Sequence, residues 1–409
     1  MKHLPVTRYT GELYDNNVAV IVPKSSEYLP AVWTFCESTE FNTLVRKLNQ
    51  KLSVTDESFI QVPFDLTHWN AVAAEKHPLG LPNPHSEDSR QWLFGGYPKG
   101  SNQPLQVAVA RLLGYRWPRQ TGSSFASCPP IGRDGLEKHA DTNGVVCLNP
   151  VKGGLPSADR LRTLLADAFG REWSAAKQAE LISDVGCDGQ ALEDWLRDEF
   201  FEQHCALFHE RPFIWHIWDG LRNGFHALVN YHKLTAPNGE GQRTFEKLIY
   251  AYLGDWIKQQ RDAQKRDIEG ADARVAAAEH LKSELEKILE GEPPYDIFVR
   301  WKPLHEQPIG WEPDLNDGVR INIRPFMTAT TLNGRGKSAC ILRVAPKIKW
   351  EKDRGKEPHR AKNEFPWFWG WDESDKPDFA GGKEFDGNRW NDLHYTLEFK
   401  RKAREMAKG

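Results

Sequence analysis

Residues 211–234, RPFIWHIWDGLRNGFHALVNYHKL, combine residue types that can either pack as a core or bind a charged ligand: five aromatic rings, two arginines, three histidines and a lysine. Dense rings are typical of a protein core, whereas cations interleaved with rings are typical of a nucleic-acid surface. Arg222 and Asn223 stand directly before Gly224, a residue that breaks regular elements. The segment alone fits both interpretations, so the rest of the chain must decide between them.

Two stretches approach known motifs for phosphate and methyl chemistry. Residues 331–339, TLNGRGKSA, end like a phosphate-binding loop, but Thr331 stands where the first glycine is required. In SCPPIG, Cys128 and Ile131 replace the polar residue and the aromatic ring that an amino-methyltransferase uses on its target base. No glycine-rich loop after a strand is present to hold S-adenosylmethionine. The sequence therefore excludes ATP binding and methyl transfer by this chain alone.

A divalent-metal nuclease site could be assembled from Asp386 or Asp392 with Glu398 and Lys400. Such a site needs its Glu-x-Lys pair on a strand, whereas residues 397–408, LEFKRKAREMAK, predict a C-terminal helix. A solvated tail is the stronger interpretation of these charges.

The composition limits the class of protein. With 39% hydrophobic and 27% charged residues and a net charge of −3, the chain is globular and any basic surface must be local. Its six cysteines form no CxxC pair, and the spacing of His204, Cys205 and His209 does not converge on zinc, so we expect reduced, mostly buried thiols. No apolar run is long enough to span a membrane and no signal-peptide core is present, which predicts a cytoplasmic protein.

The length of 409 residues predicts two or three domains. Residues 17–23 and 58–65 are predicted strands and residues 104–117 a helix, which together indicate a small α/β domain over residues 1–116. Residues 117–157 are rich in Pro, Gly and Ser and are predicted to be a loop or linker.

The remainder is predicted to be a helical region over residues 158–295, with a helical hairpin at 241–290, followed by a basic, Trp-rich C-terminal region over 296–409. In this last region, strand-like runs at 297–301 and 319–325 alternate with loops. The expected fold class is therefore α+β.

The positive charge is concentrated in residues 333–362, which hold ten Lys or Arg against three acidic residues, a local excess of seven positive charges. FPWFWGW follows closely, so cations adjoin stacking surfaces. This is the local basic patch that the balanced overall charge allows.

Several blocks, in order along nearly the whole chain, resemble the C-terminal part of large bacterial adenine-N6 DNA methyltransferases, of the type IIG restriction–modification class and of phage-defence systems such as BREX and DISARM. The blocks are NNVAVIVPKSSEYLPAVWTFCES, KLSVTDESFIQVPFD, PLQVAVARLLGYRWP, ERPFIWHIWDGLRNGFHALVNYHKL, LNDGVRINIRPFM, WEKDRGK and NRWNDLHYTLEFK. The first two are also similar to target-recognition domains of type I specificity subunits.

The resemblance implies a part or subunit that binds double-stranded DNA and positions a methylase domain, with residues 1–116 as a target-recognition-like domain. It implies that S-adenosylmethionine is bound by the catalytic partner and that this chain binds no cofactor. Because the resemblance begins where the catalytic domain of those enzymes ends, we expect a separately encoded recognition subunit, a truncated product or an excised part.

This interpretation assigns the candidate DNA contacts. Asn and Gln pair with adenine and Lys reads guanine, so base readout is expected from Asn49, Gln50, Lys51 and Thr55. Backbone contacts are expected from Arg222, Asn223 and Lys233, and a phosphate clamp from Arg320, Arg324, Lys349, Lys352, Arg354 and Lys356. The rings of Phe213, Trp215, Phe225 and Tyr231 are expected to form core.

Two alternatives stay open at this point. One is a scaffold of a defence complex, which would use the helical hairpin and the Trp-rich loops to hold partner proteins without touching DNA. The other is the metal-dependent nuclease. Co-purification with a partner without any shift of duplex DNA would select the scaffold.

Overall fold

The structure is a computed structural model of the chain. It describes residues 4, 6, 19–50, 56–77, 81, 96–117, 133–299, 302–313, 319–335, 339–348 and 394–408. The chain divides into two compact units: unit 1 comprises Met1–Gly95 and Trp117–Gly132, and unit 2 comprises Gly96–Arg116 and Arg133–Gly409.

Unit 1 is helical in its described part, with α1 (Leu29–Cys36), α2 (Thr39–Leu48), α3 (Asp56–Ile60) and α4 (Leu66–Lys76). Ser38 caps α2 by accepting a hydrogen bond from the amide of Phe41, and the Asp65 carboxylate caps α4 in the same way. The core between these helices contains Phe35, Phe41 and Trp69 among other apolar side chains.

The two strands predicted for this part of the chain are wrong where the structure describes them. Residues 19–23 form no strand, and residues 58–60 of the second predicted strand lie in α3. Phe59 stacks on Phe41 with ring centroids 5.8 Å apart, and Val62 is buried three positions later, while the intervening Ile60 is 85% exposed. Apolar residues three positions apart share one helical face, so packing favoured a helical turn over the alternation of a strand.

Helix α5 (Pro104–Leu112) is helical as predicted but belongs to unit 2, which differs from the expected domain of residues 1–116. The side chain of Asn230 donates to the carbonyl of Leu113, just after the helix, and Gln106 hydrogen-bonds to His204. These buried polar contacts tie the helix to the second unit.

Unit 2 contains a three-stranded antiparallel sheet formed by β1 (Val145–Cys147), β2 (Ile214–Trp218) and β3 (His226–Asn230), in the order β1, β3, β2. In the β2–β3 pair, Ile214 lies opposite Asn230 and Trp218 lies opposite His226. The sheet together with the helices around it confirms the α+β class.

Both β2 and β3 come from the aromatic segment 211–234. Phe213, Trp215, Phe225 and Tyr231 are buried, as predicted. Trp215 packs on Tyr231 and on Phe326, with ring centroids 5.1 and 5.0 Å apart, so the rings of this segment join the sheet to the helices.

The remaining described α-helices belong to unit 2. They are α6 (Ser157–Phe169), α7 (Ala175–Asp184), α8 (Leu192–Asp194, a π-helical turn Trp195–Glu199 and Phe200–Leu207), α9 (Tyr231–Leu234), α10 (Glu240–Glu246, a π-helical turn Lys247–Leu253 and Gly254–Gln264), α11 (Ala271–Glu290), α12 (Val319–Thr328) and α13 (Leu397–Met406). None of the described helices is long and apolar enough to cross a membrane.

Helices α10 and α11 run antiparallel as a hairpin. Arg261 pairs with Glu279 at 2.6 Å, and Gln264 donates to Asp272 at 2.6 Å. A later residue of α10 thus contacts an earlier residue of α11, as in an antiparallel pair. The connection closes at Gly270, whose φ of 73° is in the left-handed region that glycine tolerates.

The strand-like runs predicted near the C-terminus are also wrong in the described residues. Residues 319–325 lie in α12, because buried Asn322 donates to the Tyr231 hydroxyl at 2.7 Å and Phe326, four positions later, is fully buried. Residues 297–299 are buried without a strand, since the side-chain amide of Gln307 bonds both the N–H and the carbonyl of Val299.

Helix α13 is anchored by a buried ion pair. Lys400 is fully buried with its Nζ 3.1 Å from Asp296 Oδ2, and His394 Nδ1 lies 2.6 Å from Asp296 Oδ1. Burial alone would raise the pKa of Asp296, but the hydrogen bond with His394 and the charge of Lys400 hold that pKa below its ordinary value. Glu398 points elsewhere, pairing with Lys402 on the surface. Lys400 and Glu398 therefore do not share a nuclease site, and Asp386 and Asp392 lie outside the described residues.

We expect Lys400→Met to lower the free energy of unfolding by about 3–5 kcal/mol, because it leaves the carboxylate of Asp296 buried without its cation. Urea unfolding followed by circular dichroism measures this loss. The matched control is Lys402→Met, two positions along the same helix but 58% exposed, which should unfold like the unchanged protein. Equal effects of the two substitutions would contradict the anchoring role of Lys400.

Candidate nucleic-acid interface

The loop between β2 and β3 is closed by one buried carboxylate. Asp219 Oδ1 accepts the amide hydrogen of Leu221 at 3.0 Å, and its Oδ2 accepts that of Phe225 at 2.7 Å. The Asp219 amide donates in turn to the carbonyl of Phe225 at 3.1 Å. The carboxylate thus bonds both ends of the loop and presents Arg222 and Asn223 at its tip, where both are exposed.

Gly224 is required at its position by close approach. A Cβ there would lie 2.1 Å from Asp219 Oδ1 and 2.5 Å from Oδ2, which no side chain permits. Asn149 also donates to the Gly224 carbonyl, at 3.1 Å. Glycine follows Arg222 and Asn223 because the carboxylate of Asp219 fills the space that any other side chain would need.

Two buried histidines also anchor this loop through hydrogen bonds. His226 Nε2 faces the carbonyl of Leu221 at 2.9 Å, so it carries the proton, and His226 Nδ1 accepts from His216 Nε2 at 3.0 Å. Burial lowers the pKa of His226 to about 4 and that of His216 well below its ordinary value. Both rings are therefore neutral near pH 7, and the pair holds the loop as a hydrogen-bond chain without adding charge.

At the loop tip, three arginines meet around one aspartate. Asp198 lies 2.7 Å from Arg197 Nη2, 3.3 Å from Arg222 Nη2 and 3.2 Å from Arg343 Nη2. Asp194 also pairs with Arg197 and, at 3.6 Å, with Arg222. We call these five residues the arginine cluster. Three guanidinium groups face two carboxylates, which leaves one net positive charge.

The arginine cluster is assembled from three parts of the chain: helix α8, the loop between β2 and β3, and the segment that contains Arg343. Arg197 and Asp198 lie in the π-helical turn of α8, an irregularity that is frequent at functional sites. The Arg343 amide donates to the His216 carbonyl at the edge of β2, and its guanidinium lies 4.7 Å from the ring centroid of Trp218.

The charges within the cluster stabilise one another. Burial alone would raise the pKa of Asp198, but the hydrogen bonds from Arg197 and Arg343 outweigh it and hold that pKa below its ordinary value. Asp198 therefore stays ionised and orders the three arginines. The side chain of Arg222 is 74% exposed, whereas those of Arg197 and Arg343 are 19% and 25% exposed. Arg222 is therefore the cation of the cluster that is most accessible to a ligand.

A cleft of about 930 Å³ opens beside the cluster. Its walls combine the loop tip and α8 with the first turn of α6, with α10 and with Arg274 of α11; the polar side chains are Asn149, Ser157, Asp159, Glu193, Arg197, Arg222, Asn223, His226, Gln259, Gln260 and Arg274. Asp159 and Glu193 are both paired with Arg162. The lining of the cleft therefore combines polar and apolar groups, and its two carboxylates are already paired with Arg162.

The structure brings together two of the residues predicted to bind DNA. Arg222 and Asn223 line the cleft, whereas Lys233 lies beyond the opposite end of β3, with its aliphatic stem against Gly144. Arg324 is half-buried on α12, and Arg320 lies on the same helix.

In unit 1, Asn49 donates to the Ser58 hydroxyl at 3.1 Å and Gln50 is exposed. The predicted contacts that lie outside the described residues are Lys51, Thr55, Lys349, Lys352, Arg354 and Lys356.

Sequence reasoning missed Arg197, Arg274 and Asp219. Asp219 carried a usable signal, since an aspartate followed by glycine after an apolar run is typical of a loop that the side chain closes. Arg197 and Arg274 carried none, because each stands in a charged helical stretch that resembles an ordinary solvated face. Within the described residues, no group of three or more His, Cys, Asp or Glu is arranged to hold a metal ion.

We expect Gly224→Ala to destabilise unit 2 by about 1–3 kcal/mol, because the new methyl group must displace the Asp219 carboxylate. Gly254→Ala is the matched control, since a Cβ there would meet only the Ile249 carbonyl at 3.8 Å and alanine is favoured within a helix. Thermal unfolding of both variants measures the difference. A Gly224→Ala protein as stable as the Gly254→Ala protein would contradict the close approach.

The pH dependence of stability tests the buried carboxylate. Burial raises the pKa of Asp219 from 3.8 to about 6, although the amides of Phe225 and Leu221 oppose the change. A carboxyl group with a raised pKa binds its proton more tightly in the folded chain. Its contribution to stability is therefore full below the unfolded pKa and is lost as pH rises from about 4 to about 6.

Relative to Asp219→Asn, which cannot titrate, the unchanged protein should lose about 2 kcal/mol of unfolding free energy between pH 4 and pH 7. Urea unfolding of the two proteins at matched pH values measures this difference. A gap between them that stays constant across the range would show that the carboxyl group is not held in a raised-pKa site.

Comparison with known proteins matched no family model to this chain, and a search of curated proteins found no significant match.

Proposed function

We propose that this chain binds double-stranded DNA as the recognition part of an adenine-N6 DNA methyltransferase of a restriction–modification or phage-defence system. This is the function that the resemblance of the sequence blocks implies. The observation that carries the proposal is the arginine cluster, with its net positive charge and its exposed Arg222.

The cluster has the chemistry of a phosphate site. Guanidinium groups offer paired N–H donors whose geometry matches two oxygens of a phosphate. The pairs that Arg222 makes with Asp194 and Asp198 are long, 3.6 and 3.3 Å, and its side chain is mostly exposed. Exposed ion pairs contribute little to stability, so Arg222 can exchange its carboxylate partners for a phosphate at small cost.

Preorganisation favours binding at this place. The Asp219 carboxylate and the His216–His226 pair fix the loop before any ligand arrives. A rigid loop loses little conformational entropy on binding, so more of the phosphate interaction appears as affinity.

Catalysis belongs to a partner in this proposal. S-adenosylmethionine and the methyl-transfer residues would lie in a methylase domain or subunit, which this chain would hold on its target. In bacteria, DNA lies in the cytoplasm. The proposed function would therefore place the chain there, where its cysteine thiols stay reduced. The structure is consistent with this, since the cysteines it describes are free and buried.

The proposal predicts that Arg222→Gln weakens binding of a DNA duplex about tenfold, the effect of one charge-assisted hydrogen bond. It also predicts that the slope of log affinity against log salt becomes shallower by about one. Fluorescence anisotropy with a labelled duplex between low and moderate salt measures both quantities.

The matched control is Arg261→Gln, another exposed arginine in a carboxylate pair, which lies on the α10–α11 hairpin but is not among the residues that line the cleft. Its affinity and salt slope should equal those of the unchanged protein. Absence of salt-dependent duplex binding, together with co-purification of partner proteins, would overturn the proposal in favour of a scaffold.

A further inference from the structure

The cleft beside the arginine cluster has unused hydrogen-bonding groups. Asn149 uses only its amide nitrogen, on the Gly224 carbonyl, and Gln259 uses only its amide nitrogen, on Pro150 and Asp255. The carbonyl oxygens of these two side chains, and the whole side-chain amide of Asn223, have no partner among the residues that the structure describes. These amides offer acceptors and donors of the kind that pair with the edges of nucleobases.

Helix α11 contributes a further cation, Arg274, to the lining of the cleft. Arg274 donates from Nε to Gln260 at 2.6 Å and from Nη1 to the Glu269 carbonyl at 3.2 Å, and both acceptors are neutral. Within the described part of the chain, no carboxylate lies within ion-pair distance of Arg274. The cleft is therefore lined by cations from separate elements, Arg222 and Arg197 of the arginine cluster and Arg274 of α11.

One residue of the lining has a buried donor without an acceptor in the described part of the chain. Trp256 lines the cleft together with Gln259 and Gln260, is 6% exposed, and its indole Nε1 has no hydrogen-bond partner among the described residues. Leaving a buried polar group unpaired costs free energy, so such a donor calls for an explanation, and a functional role is one of them.

The size of the cleft selects among nucleic-acid ligands. A volume of about 930 Å³ lies within the range of about 300–1,000 Å³ that is typical of sites for single small molecules. One nucleotide fits such a space and a double helix does not. A duplex held at Arg222 could reach into the cleft only with a nucleotide that is not base-paired.

We propose that the cleft accepts one unpaired nucleotide of the bound nucleic acid, which rests on the function proposed above. The phosphates on its two sides would lie at Arg222 and at Arg274, and its base would lie against the side-chain amides of Asn149, Asn223 and Gln259. No bond is made or broken in this step. The cleft would recognise a nucleotide that has left the base stack.

The test compares three labelled DNA probes: a fully paired duplex, the same duplex with a one-nucleotide bulge, and the same bulge with an abasic sugar in place of the nucleotide. Fluorescence anisotropy gives the affinity of each. The bulged duplex should bind about tenfold tighter than the paired duplex, the effect of one or two added hydrogen bonds, and the abasic bulge should lose most of that advantage.

Arg274→Gln should remove the preference for the bulge and leave binding of the paired duplex unchanged, whereas Arg261→Gln should alter neither. If Arg274→Gln lowers the melting temperature, Gln259→Ala, a change at a half-buried cleft residue that is not among the predicted duplex contacts, provides the same test. Equal affinity for bulged and paired DNA, an abasic bulge as strong as the complete one, or a preference that survives both substitutions would overturn the cleft proposal while leaving duplex binding intact. Failure of all three probes to bind with a salt-dependent affinity would instead overturn the proposed function.

Discussion

The carboxylate of Asp219, buried beneath the loop between β2 and β3, accepts the amide hydrogens of Leu221 and Phe225 and so joins the two ends of that loop. Removing a carboxylate from water is costly, and burial raises the pKa of this group to about 6. A turn without a buried carboxylate could also connect β2 and β3, so the connection alone does not explain why Asp219 is buried here. What the structure gains is a fixed loop tip with Arg222 and Asn223 exposed.

The rest of the candidate interface depends on that fixed tip. Arg222 can join Arg197 and Arg343 around Asp198 only if the loop keeps its shape, since the three arginines come from three separate elements. Three guanidinium groups gathered without a counter-charge would repel one another, so Asp194 and Asp198 make the assembly stable. The two carboxylates leave one net positive charge on the cluster, and Arg222 is the most exposed of its three arginine side chains.

The sequence predicted the parts of this arrangement that depend on local pattern. The burial of Phe213, Trp215, Phe225 and Tyr231 followed from the density of rings in one segment. The two strands β2 and β3 in that segment were not predicted, since residues 158–295 were expected to be helical. Helical periodicity likewise predicted the helices of the middle region.

The parts that depend on contacts between distant residues were not predictable in this way. The run 319–325 alternates like a strand, but Asn322 turns inward to bond Tyr231, 91 residues away, and the segment folds as a helix. The arginine cluster joins Asp198 to Arg343 across 145 residues. No window of sequence contains such a pair, and a charged residue in a helix looks the same whether it is solvated or part of a site.

The central claim is that the Asp219-closed loop meets DNA, and hydrogen–deuterium exchange of residues 219–225 tests it directly. The backbone amides of Arg222 and Asn223 have no acceptor within the described residues and should exchange rapidly in the free protein. We expect a bound duplex to slow exchange across this loop at low salt, with the hairpin loop around Gly270 unchanged as an internal reference. Exchange in residues 219–225 that is the same with and without saturating DNA would contradict the account.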